Sequence, residues 1–342
     1  MRVAGIAWFL ALVLWAPGCT VDSLKKRGVV PPSTPEERAV AFLVREVPRW
    51  PRENHCFSCH NNGDAVRALY VASALGFQVP PSALADTTAW LRRPDQWENN
   101  KGDPGFSDKR LATIQFAAAL AAAIETKHVQ DRGEILAAAR KLAPEQNANG
   151  AWLIEPVSAL GSPATYGTHL ATVAVLEALS PLRENRIFES RRKAEAWLVE
   201  APVVSVLDSA AVVIGLARRS DPQSVAKRKE CLDRIRRSQT LDGGWGPYVD
   251  SPPEPFDTAV VLLALAGLRS APDVGALIRR GREYLVQTQL PNGSWPETTR
   301  PSGGESYAQR ISTTGWATLA LLRTGGERHG KSSVPKGPAL GP

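Results

Sequence analysis

The chain has few of the residues that would staple it, extend it into sheet or bind it to nucleic acid. Its 342 residues include four cysteines, five histidines and one methionine. So few cysteines exclude a disulfide-dense scaffold. No sustained alternation of apolar and polar residues occurs outside short turns, so strands are not expected. The net charge is +7, but the basic residues are interspersed with acids in segments such as ESRRKAEAW and KRKECLDRIRRS. A solvated outer helix face accounts for them. No basic and aromatic motif of a nucleic-acid module is present, so no nucleic-acid partner is expected. The one methionine is Met1, which leaves the rest of the chain without a thioether ligand.

What is present begins with a leader. Residues 1–19, MRVAGIAWFLALVLWAPGC, hold one early arginine, an apolar run and small residues before Cys19. That pattern is a secretory signal peptide, too short and one-sided for a clear spanning helix. Cys19 follows Ala16-Pro17-Gly18, which resembles a lipobox and implies lipidation of Cys19, although Pro17 and Ala16 depart from the pattern. Ordinary cleavage nearby and an uncleaved anchor are the alternatives. Each makes the body exported, and lipidation makes it a periplasmic or outer-membrane lipoprotein held to the membrane by its anchor. Thr20, where an aspartate would retain it at the inner membrane, favours the outer membrane. Residues 20–35 read as a Pro-rich linker and residues 325–342 as a disordered tail.

Between these, residues 36–324 repeat. QNANGAW ends at Trp152, QTLDGGW at Trp245 and QLPNGSW at Trp295, each with a Gln six residues before the Trp and a Gly between them. Apolar helices rich in small residues alternate with this element: GDAVRALYVASAL, SDKRLATIQFAAALAAA, GTHLATVAVLEAL, DSAAVVIGLA, DTAVVLLALAGL and STTGWATLALL. They are apolar nearly all round, as buried helices are. Their partners, such as VGALIRRGREYLVQ, carry one apolar stripe and one charged face and belong outside. The expected fold is all-α: an α/α toroid of about six outer/inner helix hairpins.

The stretch RRGREYLVQTQLPNGSW resembles the QW motif of the squalene and oxidosqualene cyclases, shared loosely with protein prenyltransferase subunits. The resemblance covers roughly residues 36–324 and implies their toroid of inner helices ringed by outer ones. In that family the middle Asp of an Asp-x-Asp-Asp motif, followed by Thr-Ala, protonates an alkene. The nearest match is EPFDTAVV, Glu254 to Val261. Asp257-Thr258-Ala259 aligns with the last Asp and the Thr-Ala, Glu254 with the first Asp, and Phe256 with the proton donor. A phenyl ring donates no proton, so this registration implies no working class II cyclase. An atypical acid, Asp257 or Glu254, is the alternative. The Asp, Cys and His zinc set of the prenyltransferases and the Cys-Gly-Glu-Gln element of the thioester relatives are also missing.

Asp64, Asp208 and Asp257 open three inner helices at one repeat position, and His169 takes that position in a fourth. The three aspartates read first as helix caps, for which Asp is among the best residues.

Cys56, Cys59 and His60 spell C-x-x-C-H in the turn at 56–60, the attachment pattern for c-type haem. The exported compartment suits it. Haem c would form thioethers to Cys56 and Cys59, with iron on His60. With no methionine available, the second axial ligand would be a histidine, His169 before His128 or His55, or the position would be open. The alternatives are a Cys56–Cys59 disulfide, zinc on Cys56, Cys59 and His60 with His55 or water, or a redox dithiol. The expected function is a haem-bearing redox or ligand-binding toroid with a redox partner or a lipid-like small-molecule ligand. A non-enzymatic binding or scaffold toroid stapled by the disulfide is the alternative.

Overall fold

The computed structural model describes residues 33–100, 109–154, 166–298 and 306–326. The expected signal peptide with Cys19, nearly all of the expected linker and the last sixteen residues lie outside them. Twelve α-helices are described, with no strand among them. Six are outer: α1 (Pro35–Asn54), α3 (Pro81–Leu91), α5 (Gly133–Leu142), α7 (Asn185–Glu200), α9 (Pro222–Ser238) and α11 (Pro272–Thr288). Six are inner: α2 (Val66–Ala74), α4 (Lys109–Glu125), α6 (Gly167–Leu179), α8 (Val206–Gly215), α10 (Pro255–Ala266) and α12 (Tyr307–Thr324). Helix α2 is preceded without a break by a π-helical turn, Cys59–Ala65.

The inner helices touch in the order α2, α4, α6, α8, α10, α12, and α12 returns to α2 and its π-turn. That closes a ring, the α/α toroid of six hairpins that the repeats imply. Composition explains the two layers. In α10 ten of twelve positions are buried, Pro255 to Leu262 without interruption. In α9 only Ser224, Cys231, Ile235 and Ser238 are, a single stripe on a charged helix. Local signals set the helix starts. Thr34 and Glu37 make a capping box on α1, Ser205 and Asp208 one on α8, each satisfying amides that a helix start leaves bare. Among the described residues no helix is long and apolar enough to cross a membrane.

The Gln-Gly-Trp turns are the rivets of the ring. Gln146, Gln239 and Gln289 each donate their amide to a carbonyl of the next outer helix in the circle: Ser190 of α7 at 2.8 Å, Leu277 of α11 at 3.0 Å and Pro35 of α1 at 2.9 Å. The third bond joins the end of the chain to its beginning. Gly150, Gly243 and Gly293 have φ of +103°, +90° and +93°. A Cβ there would press on the backbone of Lys193, Arg280 or Arg38, again in the next outer helix. Only glycine allows both that conformation and that approach. Trp152, Trp245 and Trp295 are fully buried and give their indole N–H to Leu142, Ile235 and Leu285 of the preceding outer helix. Their backbone N–H goes to Thr172, Thr258 and Thr314 of the following inner helix. Each turn therefore ties three helices and leaves no indole donor unsatisfied, which in a dry core costs about 1–3 kcal/mol.

Candidate functional site in the toroid lumen

The threonines that bind the turns fix the rotation of their inner helices. Leu170, Phe256 and Ser312 stand two residues before them and are equivalent by repeat. Phe256 is 1% exposed and meets the ring of Trp316 at 5.9 Å. Tyr166, at the start of α6, meets the same indole at 5.8 Å. Helices α6 and α12 lie opposite each other in the ring, so the Tyr166–Trp316 contact spans the lumen.

Asp64 enters this space from the π-turn. Gln115 of α4 donates to its Oδ2 at 2.7 Å and Ser312 of α12 at 2.6 Å. Oδ1 is buried without a hydrogen-bond partner. Its two neighbours come from the inner helices on either side of α2, and close packing makes this possible: a Cβ on Gly315 of α12 would collide with the backbone of Ala65. Burial pushes the Asp64 carboxyl up to about 6, against the opposing effects of Ser312, Arg67, Gln115 and the Trp316 indole. The i→i+5 bonding of a π-turn brings residues four and five apart onto one side. Cys59 and His60 accordingly share a face with Asp64. The Tyr166 hydroxyl, raised well above its ordinary value by burial, also feels the charges of Asp64 and Cys59.

Arg67, one turn further on, is 8% exposed. Its guanidinium lies over Trp316 at 4.6 Å and 3.8 Å from Glu177 at the end of α6. Half of the Glu177 side chain is accessible (51%), yet burial raises its pKa. Both hold if the carboxylate sits deep in a recess that water enters.

The structure places the two acids suggested by the resemblance elsewhere. Asp257 is fully buried and Glu254 is the N-cap of α10. Burial raises Tyr284 of outer helix α11 to about 12, helped by the charges of Glu254 and Asp257. Asp208 does cap, within the box on α8, and its Oδ1 lies 3.0 Å from His169 Nδ1. Burial works to raise it, but the His169 hydrogen bond and charge and the Ser205 bonds hold it at about 2. His169 packs on Trp197 of outer helix α7 at 4.6 Å and has its Nε2 buried without a partner. Asp64 is not a cap: Ser58 caps the π-turn, accepting from the amides of His60 and Asn61.

At 56–60, Cys56 and Cys59 are thiols and not a disulfide. Cys59 Sγ lies 3.4 Å from His60 Nδ1. His60 is 7% exposed, its Nε2 is buried without a partner, and burial pushes its imidazole down to about 4. The turn is held by Phe57, stacked on Trp90 at 4.6 Å and bonded to Asn100. No group of three His, Cys, Asp or Glu side chains placed for a metal ion occurs among the described residues. Both ring nitrogens of His128 are engaged, by Thr126 and Ser73, at the far end of the inner helices.

No protein-family profile matches the chain. It is 25% identical over 235 residues to drimenyl diphosphate synthase from Streptantibioticus cattleyicolor, covering 63% of this chain and 41% of that enzyme. The chain thus spans less than half the length of this relative. Among solved structures it resembles a variant of the type II terpene cyclase MstE from Scytonema in complex with geranylgeranyl dihydroxybenzoate. The TM-score is 0.52 at 13% identity, over 85% of this chain and 98% of that one. A possible member of the GH105 family from Salmonella enterica scores 0.54 at 12% identity, over 84% and 92%. The fold is a terpenoid-cyclase-like α/α toroid. The second likeness shows that the same toroid is not confined to terpene cyclases, so function must come from the site.

Proposed function

We propose that the chain is a terpene-cyclase-like protein that transfers a proton to an unsaturated, mainly apolar ligand in its lumen, with Asp64 as the acid. One observation carries the reading. Gln115 and Ser312 both donate to Oδ2, and Oδ1 is buried without a hydrogen-bond partner, so in the neutral acid the proton resides on Oδ1. A ligand that excludes water from the lumen would raise the carboxyl further and keep it protonated at neutral pH. Proton transfer from Oδ1 to an alkene leaves a carboxylate that Gln115 and Ser312 already solvate. The rings of Tyr166, Phe256 and Trp316 offer faces to the positive charge that develops. Phe256 holds the place of the family's donor but contributes a ring. The similarity to drimenyl diphosphate synthase supports an isoprenoid as the ligand.

The test is product formation from a panel of prenyl alcohols and prenyl diphosphates. Asp64→Asn should reduce turnover by about 100-fold or more, whereas Asp257→Asn and Glu254→Gln retain it. Full turnover by Asp64→Asn, or its loss in Asp257→Asn alone, contradicts the assignment.

A second reading is favoured by the buried, partnerless Nε2 of His60 beside two thiols. These residues fit a c-type haem: Cys56 and Cys59 would hold it covalently and His60 Nε2 would ligate it. Such a group supplies one-electron chemistry. Export through the leader and a lipid anchor on Cys19 belong to this reading, since such haem is attached outside the inner membrane. Protein co-expressed with the haem-attachment machinery should show a Soret band that Cys59→Ala abolishes. Exported protein with both thiols intact and no band overturns it.

A further inference from the structure

Ser73 and His128 meet at the far end of the inner helices, away from Asp64, where α2 and α4 end in the same way. After α2, Gly76 takes φ +81° and its amide returns to Ser73 O at 3.0 Å. After α4, Lys127 takes φ +64° and the amide of His128 returns to Ala123 O at 2.8 Å. A left-handed lysine costs about 1–2 kcal/mol that a glycine does not, and it sets the His128 ring against Tyr70 of α2, centroids 5.1 Å apart. The hydrogen bonds fix the tautomer. The Thr126 hydroxyl donates to Ala122 O at 2.7 Å, so its oxygen accepts from His128 Nδ1–H at 2.9 Å. Nε2 is then the bare nitrogen, and the Ser73 hydroxyl donates to it at 3.1 Å. Burial lowers the His128 pKa, so the ring is neutral at pH 7. Tyr70, packed on it, is neutral too, pushed up to about 12 by burial. Ser73, Thr126 and His128 are half-buried rather than sealed, and Leu75 beside them is 39% exposed. A hydroxyl held on a neutral imidazole, with a third group orienting the other nitrogen, is the arrangement that makes serine a nucleophile.

We propose that Ser73 is a nucleophile that takes the acyl group of an ester, with His128 as its base and Thr126 positioning the base. His128 Nε2 removes the hydroxyl proton as Ser73 Oγ bonds to the ester carbonyl carbon. The carbonyl electron pair moves onto its oxygen and returns, the bond to the leaving oxygen breaks, and the leaving alcohol takes the proton from Nε2. The product is an O-acyl ester on Ser73. The transient imidazolium stands at the C-terminal ends of α2 and α4, whose partial negative charge favours it. The transient oxyanion is left to solvent at this open rim, so the reaction is acyl transfer to Ser73 rather than fast turnover. Leu75 gives the acyl group an apolar surface to lie on, which makes a small ester with an apolar acyl group the matching class of ligand. The site shares no residue with the lumen acid and acts independently of it.

The experiment treats the full chain with p-nitrophenyl acetate and follows release of p-nitrophenolate, with the modified residue located by peptide mass spectrometry. The acetyl group should be found on Ser73. Ser73→Ala should remove that label, and His128→Gln should slow its formation by about 100-fold. The wild-type rate should rise with pH to a plateau, with a midpoint below the 6.5 of an ordinary histidine. Thr126→Val should slow the reaction and move that midpoint, and Thr126→Ser should restore both. Acetylation of lysines or thiols without Ser73, or equal labelling of Ser73 in folded His128→Gln, overturns the proposal. Where His128→Gln does not fold, the wild-type profile decides: a rate that follows hydroxide and reaches no plateau is that of an unassisted hydroxyl and overturns it equally.

Discussion

Asp64 and His60 lie four residues apart in one π-helical turn, and burial moves them in opposite directions. His60 falls from 6.5 to about 4, so the folded protein holds it neutral where the unfolded chain protonates it. At about 1.36 kcal/mol per pH unit this contributes about 3 kcal/mol. The contribution is present above pH 6.5 and is lost as pH falls toward 4. Asp64 rises from 3.8 to about 6. The folded state binds its proton more tightly than the unfolded chain does, so ionising it costs stability as pH rises from 4 to 6 and beyond. The two slopes oppose each other over the same window. His60→Gln removes only the first, and urea unfolding from pH 4 to 7 should then show stability falling with rising pH. An unchanged profile would mean that His60 is not buried as a neutral ring. How little of this was legible is plain from Asp64 itself. An aspartate at the start of an apolar helix reads as a cap, and Asp208 does take part in one, at the N3 place of the capping box whose cap is Ser205. Gln115 and Ser312, which distinguish Asp64, stand 51 and 248 residues away, where no local pattern points.

At the scale of elements, the three Gln-Gly-Trp turns were readable because everything they require lies within seven residues. The positive φ calls for Gly, the buried indole for Trp, the carbonyl of the next helix for Gln. The π-turn was not readable, because Ser58 to Gly63 has the composition of an ordinary polar loop. Its wide bonding follows from how Asn61 and Asn62 bond to Glu46, Val47, Thr87 and Tyr307 of the helices around it. The turns provide a controlled prediction. Gly76 has φ +81° and open space where a Cβ would go, while Gly243 has φ +90° and the Arg280 carbonyl there. Gly76→Ala should cost about 1 kcal/mol, the left-handed penalty alone. Gly243→Ala should cost at least about twice that, because the α9–α11 rivet must also open. Equal costs in urea unfolding would mean that these turns are not packed as described.

At the scale of the molecule, the candidate acid exists only because the ring closes. Ser312 belongs to the last inner helix and Asp64 to the first, and α12 reaches α2 when Gln289, Arg38 and Arg282 join the ends of the chain through Pro35 and Glu36. The toroid was legible from the repeat of apolar and striped helices, each of which needs a neighbour to bury its face. The lumen was not, since which inner residues face it depends on helix rotations set by Thr172, Thr258 and Thr314. Phe256, which the registration put on the family's donor, is buried against Trp316 of α12. The most direct measurement is therefore the titration of Asp64, by infrared difference spectra of wild type against Asp64→Asn from pH 4 to 8. The account predicts a protonated-carboxyl band, absent from the variant, that fades with a midpoint near 6. A midpoint near 4, or no such band at pH 5, would contradict it.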